Sequence, residues 1–103
     1  MAPPELSQEQ RKAALEKAAH ARKIRAEVKQ LLKMGTLTFP ELLDRADEDD
    51  LIAGIKVGSV LESLPGTGKV KAKRIMEQHG IASNRRIRGL GTRQRETLLE
   101  LFG

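Results

Sequence analysis

Residues Leu64–Ile75 read L-P-G-T-G-K-V-K-A-K-R-I, and they predict a tight turn that leads directly into a helix. Pro65 favours the φ angle of a turn, while Gly66 and Gly68 permit positive φ and the close approach of another molecule. The backbone N–H groups of residues 68–70 are then the first, unpaired donors of the helix. Because those donors and the helix dipole both favour negative charge, the stretch indicates a phosphate-binding site.

The helix after this turn is rich in positive charge, with cations at Lys69, Lys71, Lys73 and Arg74. The stretch resembles the helix-hairpin-helix motif through the pattern Leu64-Pro65-Gly66-x-Gly68-x-x-x-Ala72-x-x-Ile75. That resemblance implies that the turn holds a DNA phosphate without reading base sequence, and that Ala72 allows the two helices to pack closely. A helical corner without a ligand is the alternative, since Pro-Gly turns are common before helices.

The composition limits the class of protein. A chain of 103 residues suffices for one small hydrophobic core, and the absence of Cys excludes disulfides, thiol nucleophiles and Cys-ligated zinc. No apolar run approaches the roughly 20 residues that cross a bilayer. The N-terminus lacks the basic and apolar regions of a signal peptide. We therefore expect a cytoplasmic protein that makes no membrane contact.

The net charge of +5 and the pI of about 9.9 are typical of nucleic-acid-binding proteins. The charge is unevenly distributed along the chain. Residues 1–34 have eight Lys or Arg against four Asp or Glu, residues 35–55 have one against six, and residues 56–103 have ten against four. Two basic regions therefore flank an acidic region, whereas a uniformly solvated surface would mix the signs more evenly.

The first third of the chain predicts one long helix. Ser7 and Gln10 have the spacing of a capping box, no Gly or Pro interrupts the chain from there to Met34, and Gly35 supplies a stop. The first half of this helix is expected to project, because its apolar positions lie in the second half, at Ile24, Val28, Leu31 and Leu32. We accordingly divide the chain into a basic helical arm, residues 1–34, and a core, residues 35–103.

A basic stripe runs beside these apolar positions, at Arg11, Arg22, Arg25, Lys29 and Lys33. A projecting basic helix suits contact with a phosphate backbone, and we expect Arg22, Arg25 and Lys29 to make that contact. The alternative is a solvated helix that is stabilised by local charge pairs.

Short helices are predicted for the middle of the chain. Thr38 and Glu41 repeat the spacing of a capping box, and an apolar face follows at Phe39, Leu42, Leu43 and Ala46. The run Glu48-Asp49-Asp50 lacks the Gly, the alternation and the terminal Glu of a calcium loop, so we interpret it as stabilising the start of another helix. With two His and no Cys, no metal or other cofactor is expected.

Apolar spacing predicts both helices of the hairpin and a last helix. The first hairpin helix has Gly58 in its interior, which is an unfavourable position for glycine, and an apolar face at Ile55, Val57, Val60, Leu61 and Leu64. The second is expected to bury Ala72, Ile75, Met76 and His79 and to end at Gly80. The last helix is expected to begin with Thr92 as its N-cap and to pack Leu98, Leu99, Leu101 and Phe102 inward.

The loop before the last helix has three arginines within four residues, Arg85, Arg86 and Arg88. Such a loop suits a narrow minor groove, whose negative potential attracts arginine. The following Gly-x-Gly segment and helix start extend this candidate site through Gly89, Gly91, Thr92 and Arg93. Arg93 and Arg95 occupy a first turn where the helix dipole disfavours cations, which indicates a bound anion. A generic basic loop is the alternative.

Nearly the whole chain resembles the actinobacterial, mycobacterial-type integration host factor family. The resemblance lies in A-A-L-E-K-A-A-H-A-R-K-I-R-A-E-V-K at 13–29, the turn and helix at 64–77, and I-A-S-N-R-R-I-R-G-L-G-T-R-Q-R-E-T-L-L-E-L-F-G at 81–103. It implies an all-α fold: a long N-terminal helix and a compact bundle of helix-two-turns-helix type, similar to a small-subunit ribosomal protein. By position, it implies DNA contacts at Arg85, Arg86, Arg88, Pro65, Gly66, Gly68, Lys69 and Lys71.

The family resemblance further implies a nucleoid-associated protein that binds duplex DNA with little sequence preference. Such a protein bends DNA and affects supercoiling and integrative recombination. The expected partners are double-stranded DNA and, on the same DNA, a recombinase or other nucleoid proteins. We expect a monomer without catalytic residues.

Three other functions remain open from the residues themselves. A structured-RNA-binding protein of ribosomal type would use the same phosphate contacts, although the absence of Trp and Tyr disfavours modules that stack bases. A DNA-repair lyase with a catalytic N-terminal Pro-Glu is disfavoured, because removal of Met1 exposes Ala2 and the chain is too short for a second domain. A helical adaptor for a protein partner predicts no salt-dependent DNA binding.

Overall fold

The computed structural model describes residues 7–103 of the chain. Within residues 7–103 the regular elements are helices. The β-type pairing in that range is one isolated antiparallel bridge between Lys56 and Arg86. The predicted all-α class is therefore confirmed. The helices, in chain order, are α1 (Gln8–Lys33), α2 (Phe39–Glu48), α3 (Asp50–Ala53), α4 (Val57–Ser63), α5 (Gly68–Gln78), a 3-10 turn (Ile87–Gly89) and α6 (Thr92–Phe102).

Helix α1 begins and ends with the signals that the sequence predicts. The Ser7 hydroxyl accepts a hydrogen bond from the Gln10 N–H, and the Gln10 side chain accepts one from the Ser7 N–H. At the other end, Gly35 has φ of +75°, and the Thr36 N–H donates to the Leu31 carbonyl. This is a Schellman ending, which satisfies the last carbonyls of the helix.

The first half of α1 projects from the rest of the protein. The helix has 26 residues, about 39 Å at 1.5 Å per residue, and residues 8–20 are all exposed. The radius of gyration is 16.1 Å, whereas a compact domain of this length has about 13 Å. The expected projection is present.

The second half of α1 packs on the core through Val28 and Leu32. The other helices surround the same core, with Phe39 and Phe102 in contact at a ring-centroid distance of 5.9 Å. The buried apolar residues are Val28, Leu32, Leu37, Phe39, Leu42, Leu43, Ala46, Ile52, Ala53, Ile55, Val57, Val60, Leu61, Leu64, Ala72, Ile75, Met76, Ile81, Ile87 and Leu98.

Helices α4 and α5 form the predicted hairpin. Ala72 is 2% exposed, and its small side chain lets α5 lie close to α4. Gly58 faces the same contact, since a Cβ atom at that position would lie 3.4 Å from the Met76 sulfur. The buried Ser63 hydroxyl donates to the Ser59 carbonyl at 2.8 Å, so this polar group is satisfied inside the hairpin.

Three details of the sequence-based prediction are wrong. His79 is exposed rather than buried, because it caps α5 one residue before Gly80, where the chain turns away. Leu101 is 51% exposed, while its neighbours Leu98 and Leu99 face the core. Gly91 is the N-cap of α6, and Thr92 is already the first helical residue.

Two acidic residues of the middle segment stabilise the fold through side-chain hydrogen bonds. The Asp49 carboxylate accepts a hydrogen bond from the Leu51 N–H at 2.9 Å, which confirms that this acidic run stabilises the start of α3. Asp47 and Arg95 form two hydrogen bonds, of 3.0 and 2.8 Å, between α2 and α6. The anion beside Arg95 is therefore a carboxylate of the same chain.

The Asp47–Arg95 pair makes stability depend on pH. Hydrogen bonds from Arg95 lower the pKa of Asp47 below its ordinary value of 3.8, so the pair stabilises the fold above that pH and is lost as pH falls through the lowered pKa. We expect Asp47→Asn to show a smaller drop in unfolding midpoint between pH 7 and pH 3 than the wild type. Glu48→Gln, which removes an exposed carboxylate without this pairing, is the control, and an unchanged pH profile in Asp47→Asn would contradict the assignment.

Candidate nucleic-acid interface

A basic groove lies between α1 and the α3–α4 region. One wall is the α1 face with Arg22, Arg25 and Lys29, and the opposite wall has Lys56 and Ser59 at the start of α4. The groove continues past Arg22 and Arg25 to a second section that is lined by Arg86 and Arg88. We call this surface the basic groove, and its six cations are Arg22, Arg25, Lys29, Lys56, Arg86 and Arg88.

The arginine loop reaches this groove because two backbone hydrogen bonds hold it there. The Val57 N–H donates to the Arg85 carbonyl at 2.9 Å, and the Ile87 N–H donates to the Ile55 carbonyl at 3.0 Å. Ile87 is buried and anchors the loop in the core. These contacts place residues 85–88 beside the segment that joins α3 to α4.

Two of the loop arginines are held against backbone carbonyls at the α3 segment. Arg86 Nη1 donates to the carbonyl of Gly54, and Arg88 Nη2 donates to the carbonyl of Asp50 at 3.3 Å. Both side chains remain exposed. A guanidinium group has five N–H donors, so each retains donors for an external anion.

Arg85 has a different environment from its neighbours. It is half-buried, and its Nη1 donates to the carbonyl of Gly89 at 2.9 Å. The same two residues are packed together, since a Cβ atom on Gly89 would lie 3.0 Å from Arg85 Cδ. Arg85 and Gly89 thus stabilise the bend of the loop in this structure.

The cations of the basic groove are not neutralised within the described part of the chain. Residues 7–103 contain one ion pair, between Asp47 and Arg95 at 2.8 Å, and this pair lies outside the groove. Asp50 is the acidic residue at the groove's edge, and it meets Arg88 through its backbone carbonyl. A surface with this many unpaired cations attracts a polyanion.

The hairpin turn has the backbone geometry that its glycines predict. Gly66 and Gly68 have φ of +77° and +70°, and a Cβ atom at either position would meet no other atom within 4 Å. The N-cap Thr67 makes no side-chain capping bond, and no hydrogen bond within residues 7–103 is donated by the N–H groups of residues 68–70. The turn is therefore open to an incoming anion.

The hairpin turn and the basic groove lie at opposite ends of α4. Lys56 precedes α4 and Pro65 follows it, and the seven residues between 57 and 63 span about 10 Å. Lys69 and Lys73 border a separate groove between α4 and α5, where Glu62 and Glu77 also lie. Lys71 and Arg74 are exposed on α5.

The start of α6 is linked to the end of α5 through Gln94. The Gln94 side chain accepts a hydrogen bond from the Gly91 N–H at 3.1 Å and donates one to the Gly80 carbonyl at 3.2 Å. This link fixes the start of α6 against the end of α5. Thr92 and Arg93 are exposed beside it.

The structure thus brings together the two parts of the predicted site that are most distant in sequence, namely the α1 stripe and the arginine loop. Sequence reasoning missed Lys56 and Ser59 of the opposite wall. Their signal was weak, because Lys56 is a single cation outside the basic runs and Ser59 is an ordinary residue of a short helix.

The described residues also limit membrane and metal binding. No helix there is long and apolar enough to span a bilayer. Within the same part of the chain, no three His, Asp or Glu side chains are grouped as ligands for a metal ion.

The fold and the turn geometry define a helix-two-turns-helix protein, and the S13-like H2TH domain family matches residues 32–102. The chain belongs to the actinobacterial integration host factor family. It is 53% identical to integration host factor of Mycobacterium tuberculosis over 103 residues, which is all of this chain and 98% of that protein. The identity to integration host factor of Streptomyces coelicolor is also 53%, over all of this chain and 96% of that protein.

A solved structure described as sIHF bound to an 8-bp palindromic DNA is similar to the present fold. The TM-score is 0.81 and the sequence identity is 51%. The match covers 85% of this chain and 99% of the other. The family resemblance of the sequence is thereby confirmed.

The contact between Arg85 and Gly89 predicts a role in stability. We expect Arg85→Ala to lower the free energy of unfolding by about 1 kcal/mol, since it removes one partly exposed hydrogen bond from a charged donor. Arg74→Ala, which removes an exposed cation of α5, should change it by less than about 0.5 kcal/mol. Urea denaturation of both variants measures the difference, and equal midpoints for Arg85→Ala and the wild type would show that the contact has no structural role.

Proposed function

We propose that this protein is a DNA-binding architectural protein of the nucleoid that holds duplex DNA in the basic groove. The observation behind the proposal is the convergence of six unpaired cations, from α1, α4 and the arginine loop, on one groove. The DNA-bound state of the related sIHF structure supports it. Arg22, Arg25 and Lys29 contact phosphates from one wall, and Lys56 contacts them from the other.

The contacts are chiefly with the sugar-phosphate backbone. Cation–phosphate contacts and counterion release supply affinity without reading bases, and the groove has no Asn or Gln among the residues that line it. Arg86 and Arg88 enter the minor groove, where negative potential rather than base identity attracts arginine. Binding therefore has little sequence specificity.

The hairpin turn provides a second phosphate contact. Its open N–H groups at residues 68–70, with Lys69 and Lys71, suit one phosphate, and Lys73 and Arg74 add charge on α5. Gly91, Thr92 and Arg93 lie exposed beside the arginine loop and extend the contact there. Two contacts at opposite ends of α4, together with the projecting α1, hold DNA in a bent path and so affect supercoiling and integrative recombination.

The remaining parts of the proposal concern organisation and partners. In the division into an arm, residues 1–34, and a core, residues 35–103, the arm supplies one wall of the groove, and the core supplies the other wall and the arginine loop. The protein acts as a monomer in the cytoplasm, bound to the nucleoid, and meets recombinases or other nucleoid proteins on the same DNA. It has no catalytic role, and its site takes no cofactor.

Binding to duplex DNA across a salt series tests the groove. We expect a slope of about −4.5 in a log–log plot, since the four phosphate contacts of Arg22, Arg25, Lys29 and Lys56 and the one at the hairpin turn each contribute about −0.9. The double variant Arg22→Ala/Lys56→Ala, with one cation removed from each wall, should reduce the slope by about 2 and weaken binding at least about tenfold. Arg45→Glu changes the net charge by the same two units at an exposed position of α2, outside the groove and the hairpin turn, and controls for net charge.

The outcomes separate the functional classes. Equal losses in the groove variant and the charge control would mean that net charge, and not the groove, determines affinity. Tighter binding to duplex RNA than to DNA would favour the structured-RNA function, which the S13-like character of the domain makes the main alternative. The absence of binding to either would leave an adaptor for a protein partner.

Bending is tested separately from affinity. We expect the ends of a labelled duplex of about 30 bp to approach each other on binding, and the variant Lys69→Ala/Lys71→Ala to bind with a smaller change in end-to-end distance. Single-pair energy transfer at saturating protein measures this distance. An unchanged distance for the wild type would exclude bending while leaving DNA binding intact.

A further inference from the structure

Gly54 occupies a position whose backbone does not require glycine. It is the C-cap of α3, with φ of −83° and ψ of −4°; φ is negative, and residues other than glycine adopt these angles at position i+2 of type I turns. Its N–H donates to the Asp50 carbonyl at 3.0 Å, as the N–H of any residue other than proline would. The reason for glycine at this position therefore lies in the space around it.

That space is filled by an arginine of the basic groove. A Cβ atom on Gly54 would lie 2.6 Å from Arg88 Nη2, which is closer than non-bonded carbon and nitrogen atoms approach. The guanidinium group of Arg88 thus rests on the bare Cα of Gly54 while it donates to the Asp50 carbonyl. The Gly54 carbonyl accepts the hydrogen bond from Arg86, so one residue contacts both arginines.

We propose that Gly54 is a positioning residue that holds Arg88 in place for DNA through its missing side chain and Arg86 through its carbonyl. The inference rests on the proposed function of the groove, and it adds a residue that makes no contact with DNA itself. An arginine that is already held in its binding position loses less conformational entropy on binding. Gly54 thereby raises affinity without contributing charge.

The two contacts respond differently to substitution. In Gly54→Ala the carbonyl is still present, so Arg86 retains its acceptor. The new methyl group displaces the far end of the Arg88 side chain, which is exposed, and it lies 3.3 Å from the Asp50 carbonyl oxygen, which a shift of a few tenths of an ångström accommodates. The substitution therefore separates the position of Arg88 from both the stability of the core and the position of Arg86.

The experiment compares Gly54→Ala in three backgrounds: wild type, Arg88→Ala and Arg86→Ala. We expect Gly54→Ala alone to weaken duplex DNA binding by about threefold to tenfold, the range that corresponds to ordering one long side chain. In the Arg88→Ala background the same substitution should have no effect, whereas in the Arg86→Ala background its effect should persist. Gly58→Ala, at a glycine of α4 that faces Met76 rather than the basic groove, is the matched control and should bind as the wild type does.

A second measurement uses the free protein. The Nε–H resonance of Arg88 should shift or broaden in Gly54→Ala, while that of Arg86 stays in place and the thermal midpoint stays within about 4 °C of the wild type. Because no DNA is present, such a change reports the position of the Arg88 side chain. If Gly54 only stabilised the fold, its substitution would not change the Arg88 resonance selectively.

The results distinguish the inference from the function on which it rests. If Arg88→Ala and Arg86→Ala leave DNA binding unchanged, the proposed role of the loop in binding is wrong. If they weaken binding but Gly54→Ala does not, or weakens it equally in the Arg88→Ala background, the positioning role of Gly54 is wrong. An unaltered Arg88 resonance in Gly54→Ala would overturn it as well.

Discussion

The short antiparallel pairing between residues 55–57 and 85–87 is the constraint on which the candidate interface depends. Its two hydrogen bonds join the start of α4 to a loop about thirty positions further along the chain. Neither segment forms a strand, and the pairing ends after one bridge. Because the carbonyl of Arg85 and the N–H of Ile87 are both engaged, Arg86 between them lies beside the carbonyl of Gly54. A basic stripe on α1 and a basic loop become one surface through this contact.

The division of charge along the chain has a structural counterpart. Asp49, between α2 and α3, caps α3, and Asp47 of α2 pairs with Arg95. Those roles keep two carboxylates away from the groove cations. Backbone carbonyls of the α3 segment take their place beside Arg86 and Arg88. A carbonyl orients a guanidinium group without cancelling its charge, so the groove remains positive while its arginines are ordered.

Local features of the fold were predictable from the sequence. The capping boxes at Ser7 and Thr38 and the positive φ of Gly66 and Gly68 depend on residues within a few positions of each other. Features that need distant partners were not. The carboxylate beside Arg95 comes from a residue 48 positions away, and the groove wall at Lys56 exists only once α1 has packed on α4. The role of Gly54 depends on Arg88, which the chain brings there by the loop pairing.

The projecting half of α1 affects how this protein unfolds. Residues 8–20 are all exposed, so their helical hydrogen bonds depend on local propensity and the capping box rather than on packing against the core. An isolated helix of this length is marginal in water, and its melting exposes little apolar surface. We therefore expect residues 8–20 to fray at temperatures where the core is intact, and hydrogen exchange along α1 to be graded from fast at Gln10 to slow at Leu32. A single unfolding enthalpy does not describe the chain, because helical signal is lost in two processes of different cooperativity.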